Sequence, residues 1–128
     1  MPNPLTSYFG VSAVAMPLRD QRMKLIASNL ANADTPNYKA KDIAFDDVLR
    51  QAAGAAAPLQ TTDARHMNGL NLQPQTFERT PLQPSLDGNT VDPDIERAAY
   101  GRAALEYRAS LSFVESKTKT LLTAITGE

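Results

Sequence analysis

From Asp92 to Gly127 almost nothing in the sequence would stop a helix. Asp92 is a good N-cap and Pro93 suits the first helical position. Asp94 and Glu96 put negative charge in the first turn, where the helix dipole favours it. Gly101 is a mild breaker, and Gly127 can serve as the C-cap. The pattern predicts about 34 residues of helix ending at Thr126, roughly 50 Å at ~1.5 Å per residue. Along it Tyr100, Ala104, Tyr107, Leu111, Val114, Thr118, Leu121 and Ile125 follow alternating spacings of four and three, a heptad seam. Arg102, Glu106 and Lys117, with Ala103 among them, are assigned to the opposite, polar side. One helix of that length cannot bury its own stripe. It needs another helix.

The partner within the chain is the N-terminal helix. Residues 11–33 are rich in good helix formers. Leu18, Arg22, Leu25 and Asn29 share one face, and Met23, Ile26 and Leu30 form a second row beside it. Leu18, Leu25, Ile26 and Leu30 are therefore the expected contacts to the seam. Pro17 would remove a hydrogen bond and crowd the preceding turn, so it either kinks the helix or starts it. Residues 17–32 are expected to be helical, and residues 8–16 only if a partner supports them. Asn32, Asp34 and Thr35-Pro36 end the helix. This helix is about half as long as the C-terminal one, so pairing leaves a turn or more of the seam uncovered.

The fold class that follows is mainly α, with paired N- and C-terminal helices forming a coiled coil and an extended, irregular middle segment with room for short strands. The expected divisions are 1–35 for the N-terminal helix, 36–91 for the middle and 92–128 for the C-terminal helix. The middle is broken by runs such as Gly54-Ala55-Ala56-Ala57-Pro58 and Thr80-Pro81-Leu82-Gln83-Pro84. It offers one weak strand or helical turn at Ile43–Arg50, where Ile43, Phe45 and Val48 could pack, and turns at Asn68-Gly69 and Asp87-Gly88. Irregular stretches this long are typically binding segments or disordered.

Composition agrees with a thin core. The 128 residues include 19 Ala, whereas Leu, Ile, Val and Phe total 27, about 21% and close to a disorder threshold near 20%. Alanine buries little area, at roughly 25 cal/mol per Å², against about 1–2 kcal/mol of backbone entropy per ordered residue. A lone monomer is expected to be marginal. The net charge of −1 leaves no basic field for nucleic acid. The chain has no cysteine, hence no disulfide, zinc thiolate or nucleophilic thiol. No apolar run is long enough to span a membrane, and Met1-Pro2-Asn3-Pro4-Leu5 does not resemble a cleavable signal peptide.

Chemistry is hard to find. His66, the one histidine, lies in a turn-like context with no specified partner and reads as a solvated loop residue. The acidic stretch Asp87–Asp94 puts glycine and glutamate at the wrong positions for a calcium loop and reads as a turn followed by an N-cap. Asp46 and Asp47 are adjacent and so face different directions. Tyr100 and Tyr107 could stack on a ligand, but at heptad spacing they read as helix packing. No catalytic, metal or cofactor-binding residue is expected, no cofactor is expected, and an enzyme is disfavoured.

One stretch goes beyond composition: Asn29-Leu30-Ala31-Asn32-Ala33-Asp34-Thr35-Pro36-Asn37-Tyr38-Lys39-Ala40-Lys41. It resembles the signature of bacterial flagellar axial proteins of the rod and hook family, Asn-x-Ala-Asn-x-x-Thr-Pro-Gly-Tyr. Leu18-Arg19-Asp20-Gln21-Arg22 and Asp42-Ile43-Ala44-Phe45 continue the match. Pro84-Ser85-Leu86-Asp87-Gly88-Asn89-Thr90-Val91-Asp92 is similar to the segment ahead of the C-terminal helix in proximal-rod members. Asn37 stands where the signature has glycine, a mild departure because Asn tolerates the left-handed conformation. The resemblance implies a structural subunit of the basal-body rod. Such subunits are exported through the flagellar type III apparatus without a cleaved signal and assemble in the periplasm into a tube that transmits torque and encloses the export channel. It implies Asn29, Asn32, Thr35, Pro36 and Tyr38 as the helix exit, the asparagines either capping carbonyls or bonding to neighbours. The implied partners are copies of the chain, other rod proteins and inner-membrane ring or export-gate components, with no nucleic acid and no small-molecule substrate. Rival readings are another rod subtype and a soluble coiled-coil adaptor or export-chaperone-like module.

Overall fold

The computed structural model describes residues 8–54 and 74–127; the expected turn at Asn68-Gly69 and His66 lie outside them. Among the described residues the main elements are, in order, α1 (Val11–Ala31), β1 (Lys41–Ile43), α2 (Phe45–Gly54), β2 (Thr76–Glu78) and α3 (Pro93–Thr126). The terminal helices α1 and α3 pack together, and α2 and β1 lie against α1.

The ends of α3 form as the residues dictate. The Asp92 carboxylate accepts from the backbone N–H groups of Asp94 (3.0 Å) and Ile95 (3.2 Å), and Pro93 opens the helix. Gly127 closes it in the left-handed conformation (φ 77°), donating to the Thr123 carbonyl at 2.8 Å.

In α1 the helix runs unbroken through Pro17 and begins at Val11, so residues 11–16 are helical ahead of the proline. The break comes earlier, at Gly10 with φ 50°, after Tyr8 and Phe9. Asn32 ends the helix, and the chain turns through Thr35–Asn37. Asn37 adopts φ 60°, the left-handed conformation that the signature glycine would take.

The region expected as one weak element at Ile43–Arg50 is two. β1 pairs antiparallel with β2, Lys41 opposite Glu78 and Ile43 opposite Thr76. Then α2 starts at Phe45, with Asp46 and Asp47 exposed in its first turn. Asp87-Gly88 does turn the chain: Gly88 has φ 74° and donates to the Ser85 carbonyl.

Buried apolar residues are few among the described ones: Ala15, Leu18, Ile26, Ala40, Ile43, Val48 and Ala103. Three of the seven are alanine, so each contributes little area. Leu18, Ile43 and Val48 form the core cluster, with Val14, Leu25 and Phe45 packed on it. The cluster draws in two of the residues expected at the seam. Leu18 and Leu25 pack against β1 and α2, whereas Ala15, Arg19 and Ile26 lie round the helix, on the side from which Arg19 reaches α3.

The row of α3 that meets α1 also differs from the seam. Glu96, Ala103, Ser110 and Lys117 recur every seven residues, one position before Ala104, Leu111 and Thr118. Ala103 and Glu96 are buried, Ser110 meets Arg19 and Lys117 meets Tyr8. Ala103 is thus on the packed side, not the polar one. Ala is small enough to let the two backbones approach, and Glu96 and Ser110 bond to Asn29 and Arg19 of α1.

Of the expected seam, Ala104, Tyr107, Leu111, Val114 and Leu121 are half-buried, as is Leu30 on α1. Thr118 is exposed, and Tyr100 and Ile125 are 41% and 76% exposed. α1 therefore covers one edge of the stripe and leaves the other to solvent.

Candidate functional site

The signature residues meet the start of α3 in a polar junction. Asn29 lies between the two packed faces of α1 and is completely buried. Its Nδ2 donates to the Lys41 carbonyl at 2.8 Å, and its Oδ1 accepts from the Lys41 N–H at 3.0 Å. The side-chain amide thus pairs with β1 backbone as another strand would. Nδ2 also reaches Glu96 Oε2 at 3.3 Å, and Oδ1 accepts from the Tyr38 hydroxyl at 3.3 Å.

Glu96 is 1% exposed, and such a carboxylate needs partners. It has two: the Asn29 amide and the Arg79 guanidinium, whose Nη2 donates to Oε1. Arg79 sits just after β2, and its N–H bonds to the Ala40 carbonyl at 2.8 Å. The ion pair therefore ties the middle segment to α3, and the Asn29 hydrogen bond to Glu96 ties α3 to α1. Nearby, Arg22 makes a two-pronged pair with Asp42 at 3.1 and 3.2 Å.

Asn89 closes the helix exit from across the chain. Its Nδ2 lies 2.9, 2.8 and 2.9 Å from the carbonyls of Asn32, Ala33 and Thr35, while its Oδ1 accepts from the Val91 N–H. A helix end leaves such carbonyls unpaired, and here a residue more than fifty positions away satisfies them. Its own turn is held by Asp87, whose carboxylate accepts from the Asn89 N–H at 3.1 Å. That bond above all, then the Ser85 hydroxyl, holds Asp87 below the usual aspartate range. The two segments also run side by side: Asn37 N–H donates to the Asp87 carbonyl and Thr90 N–H to the Tyr38 carbonyl.

The two signature asparagines act differently. Asn32 bonds within its own helix end, donating to the Ser28 carbonyl at 2.8 Å and accepting from Thr35 Oγ1 at 3.1 Å. Asn29 turns inward and joins the strand. Tyr38 spans the junction between Asn29 and Ser28, and Pro36 is exposed at the turn.

Glu96, Arg79 and Asn89 were not among the expected site residues. Glu96 read as a first-turn charge, and Arg79 stands in a proline-broken stretch where no periodicity marks it. Asn89 alone carried a signal, its place in the Pro84–Asp92 motif. The chemistry of this junction is tight bonding between segments; among the described residues no group of acids or histidine could hold a metal ion.

Two further polar crossings tie α1, and Tyr8 ahead of it, to α3. Arg19 donates to the Glu106 carbonyl at 2.7 Å and to Ser110 Oγ. Farther out, the Tyr8 hydroxyl donates to the Lys117 carbonyl and Lys117 Nζ to the Tyr8 carbonyl, both at 3.1 Å. The ammonium lies 5.5 Å from the ring centres of both Tyr8 and Phe113.

The family described as flagella basal body rod protein matches residues 8–39, which hold α1 and most of the signature. Curated relatives extend the likeness to nearly the whole chain. The flagellar basal body rod protein FlgB of Cereibacter sphaeroides is 43% identical over 121 residues, covering 93% of this chain and 94% of its own. FlgB of Aeromonas hydrophila is 43% identical over 123 residues, covering 94% and 93%. FlgB of Escherichia coli K12 is 40% identical over 120 residues, covering 87% of each. With identities of 40–43% over 87–94% of its length, the chain belongs to the FlgB family of flagellar basal-body rod proteins.

Proposed function

We propose that the chain works as a structural subunit of the proximal flagellar rod, in which α1 and α3 pack against neighbouring subunits in a helical tube. The tube transmits torque and encloses the export channel. Its neighbours are copies of the chain, other rod proteins and inner-membrane ring or export-gate components at the rod base. The subunit reaches the periplasm through the flagellar type III apparatus. The role is mechanical, without catalysis, cofactor or small-molecule substrate.

The observation that carries this reading is the uncovered edge of α3. Leu122 and Ile125 are 59% and 76% exposed, and Leu105 and Phe113 are 70% and 57% exposed on another side. A helix with apolar residues on several sides is suited to burial among several others. A soluble adaptor folded as a monomer would hide them.

The test is Leu111→Asp or Leu121→Asp. Both residues are half-buried on the seam, and a charge there would be trapped unpaired between helices, costing several kcal/mol. Motility is expected to be lost while the protein is still expressed. Normally swimming cells would show that the seam is not an interface.

A further inference from the structure

We propose that the polar crossings between α1 and α3 are a register lock, and that Arg19, Asn29 and Glu96 are the residues that set it. The three crossings fit one antiparallel alignment. Tyr8 meets Lys117, Arg19 meets Glu106 and Asn29 meets Glu96, and in each pair the two residue numbers add to 125.

A lock is needed because the apolar contact between the helices specifies little. The α3 row consists of Glu96, Ala103, Ser110 and Lys117, with a single methyl as its buried apolar group. Small residues at heptad spacing present nearly the same surface after a slip of one or two turns. The polar groups do not. Displacement would take Glu96 away from Asn29 and leave its carboxylate buried with one partner fewer. It would also take Arg19 from the Glu106 carbonyl and the Ser110 hydroxyl, because seven residues either way along this row Ser110 is replaced by Ala103 or Lys117. Buried polar groups commonly fix register in this way, because the wrong alignment strands them.

The alignment has a consequence for assembly, which rests on the rod reading above. It sets how far α3 projects past the Tyr8–Lys117 crossing, nine residues to Thr126 or about 14 Å. That length carries Leu122 and Ile125. A slip of one turn would change the apolar surface offered to a neighbour.

The experiment uses disulfide formation in the purified full chain, which has no native cysteine to interfere. Ser12 and Phe113 line one cavity of about 300 Å³ and fit the same alignment. Ser12→Cys with Phe113→Cys reports the native register. Ser12→Cys with Glu106→Cys or Thr120→Cys, seven residues to either side of Phe113 and so on its side of α3, reports displacement by about two turns either way. In an otherwise native chain the first pair should close in preference to the others. In Arg19→Met/Glu96→Met the helix content should persist, the first pair should close severalfold less, and a displaced pair should gain. Arg19→Met/Glu96→Gln, which keeps an acceptor for Asn29, should close the first pair more than Arg19→Met/Glu96→Met does. An unchanged pattern in the double variant overturns the lock, and so do disulfides forming mainly between two copies. If the double variant loses helicity, Arg19→Met alone is read by the same standard. None of these readouts requires a rod, so the lock can fail while the rod reading stands, and the reverse.

Discussion

Asn29 and Asn89 are both asparagines at the α1 exit, yet they bond in opposite directions. Asn29 bonds from the helix to strand β1, and Asn89 from the loop back to the helix end. An amide suits both places because it donates and accepts at once without carrying charge into a buried site. Glu96 does carry charge, and its burial depends on Arg79. Arg79→Ala should destabilise the protein by about 3 kcal/mol, because it strands a carboxylate that keeps only the Asn29 amide. Urea unfolding at neutral pH measures this. Adding Glu96→Leu should recover much of the loss, and a double variant as unstable as the single would show that the pair is not the cause. Asp87 gives a pH dependence. Its carboxyl is held below the ordinary range by the Asn89 N–H, so its contribution is present above about pH 4 and is lost as pH falls further. The stability gap between the native chain and Asp87→Asn should therefore shrink on acidification. A gap that widens would reverse the sign.

At the scale of elements, α1 is the piece with two obligations. One side packs on Ile43 and Val48 through Leu18, the other meets α3 through Arg19, and the two polar residues Arg22 and Asn29 mark the border between them. This is why its apolar residues form two rows and not one stripe. Pro17 sits exposed within it, seven residues from the start. It cannot donate to the preceding turn, and the helix persists because its packed sides hold it. Pro17→Ala should thus raise the melting temperature, with a gain of up to about 3 kcal/mol. A fall would mean that the proline shapes the packed helix rather than straining it.

Across the whole molecule, bonding is densest at one end. The junction joins α1, β1, the Asn89 turn and the first turn of α3, whereas the far end of α3 carries exposed Leu122 and Ile125. The small apolar core leaves little to hold the far part in isolation. In dilute protein, amide exchange should be fast over residues 118–127 and slowest around Asn29 and the first turns of α3. Assembly into rods should slow it along all of α3. Uniform protection in the free chain would contradict the uncovered edge and with it the proposed role.

The sequence by itself determined both ends of α3 and the end of α1. Asp92-Pro93 and Gly127 bound α3, and Asn32 ends α1, because capping and helix breaking are local chemistry that acts through the next few residues. The left-handed turn at Asn37 belongs to the same class. Only the tertiary structure decided which face of α3 meets α1, because the row it uses is Glu, Ala, Ser and Lys, and apolar periodicity does not mark such residues. It alone also decided that Arg79 and Asn89 belong to the site. Their partners lie 17 and more than 50 positions away in the chain, and the worth of a buried charge or amide depends on what the fold brings to it.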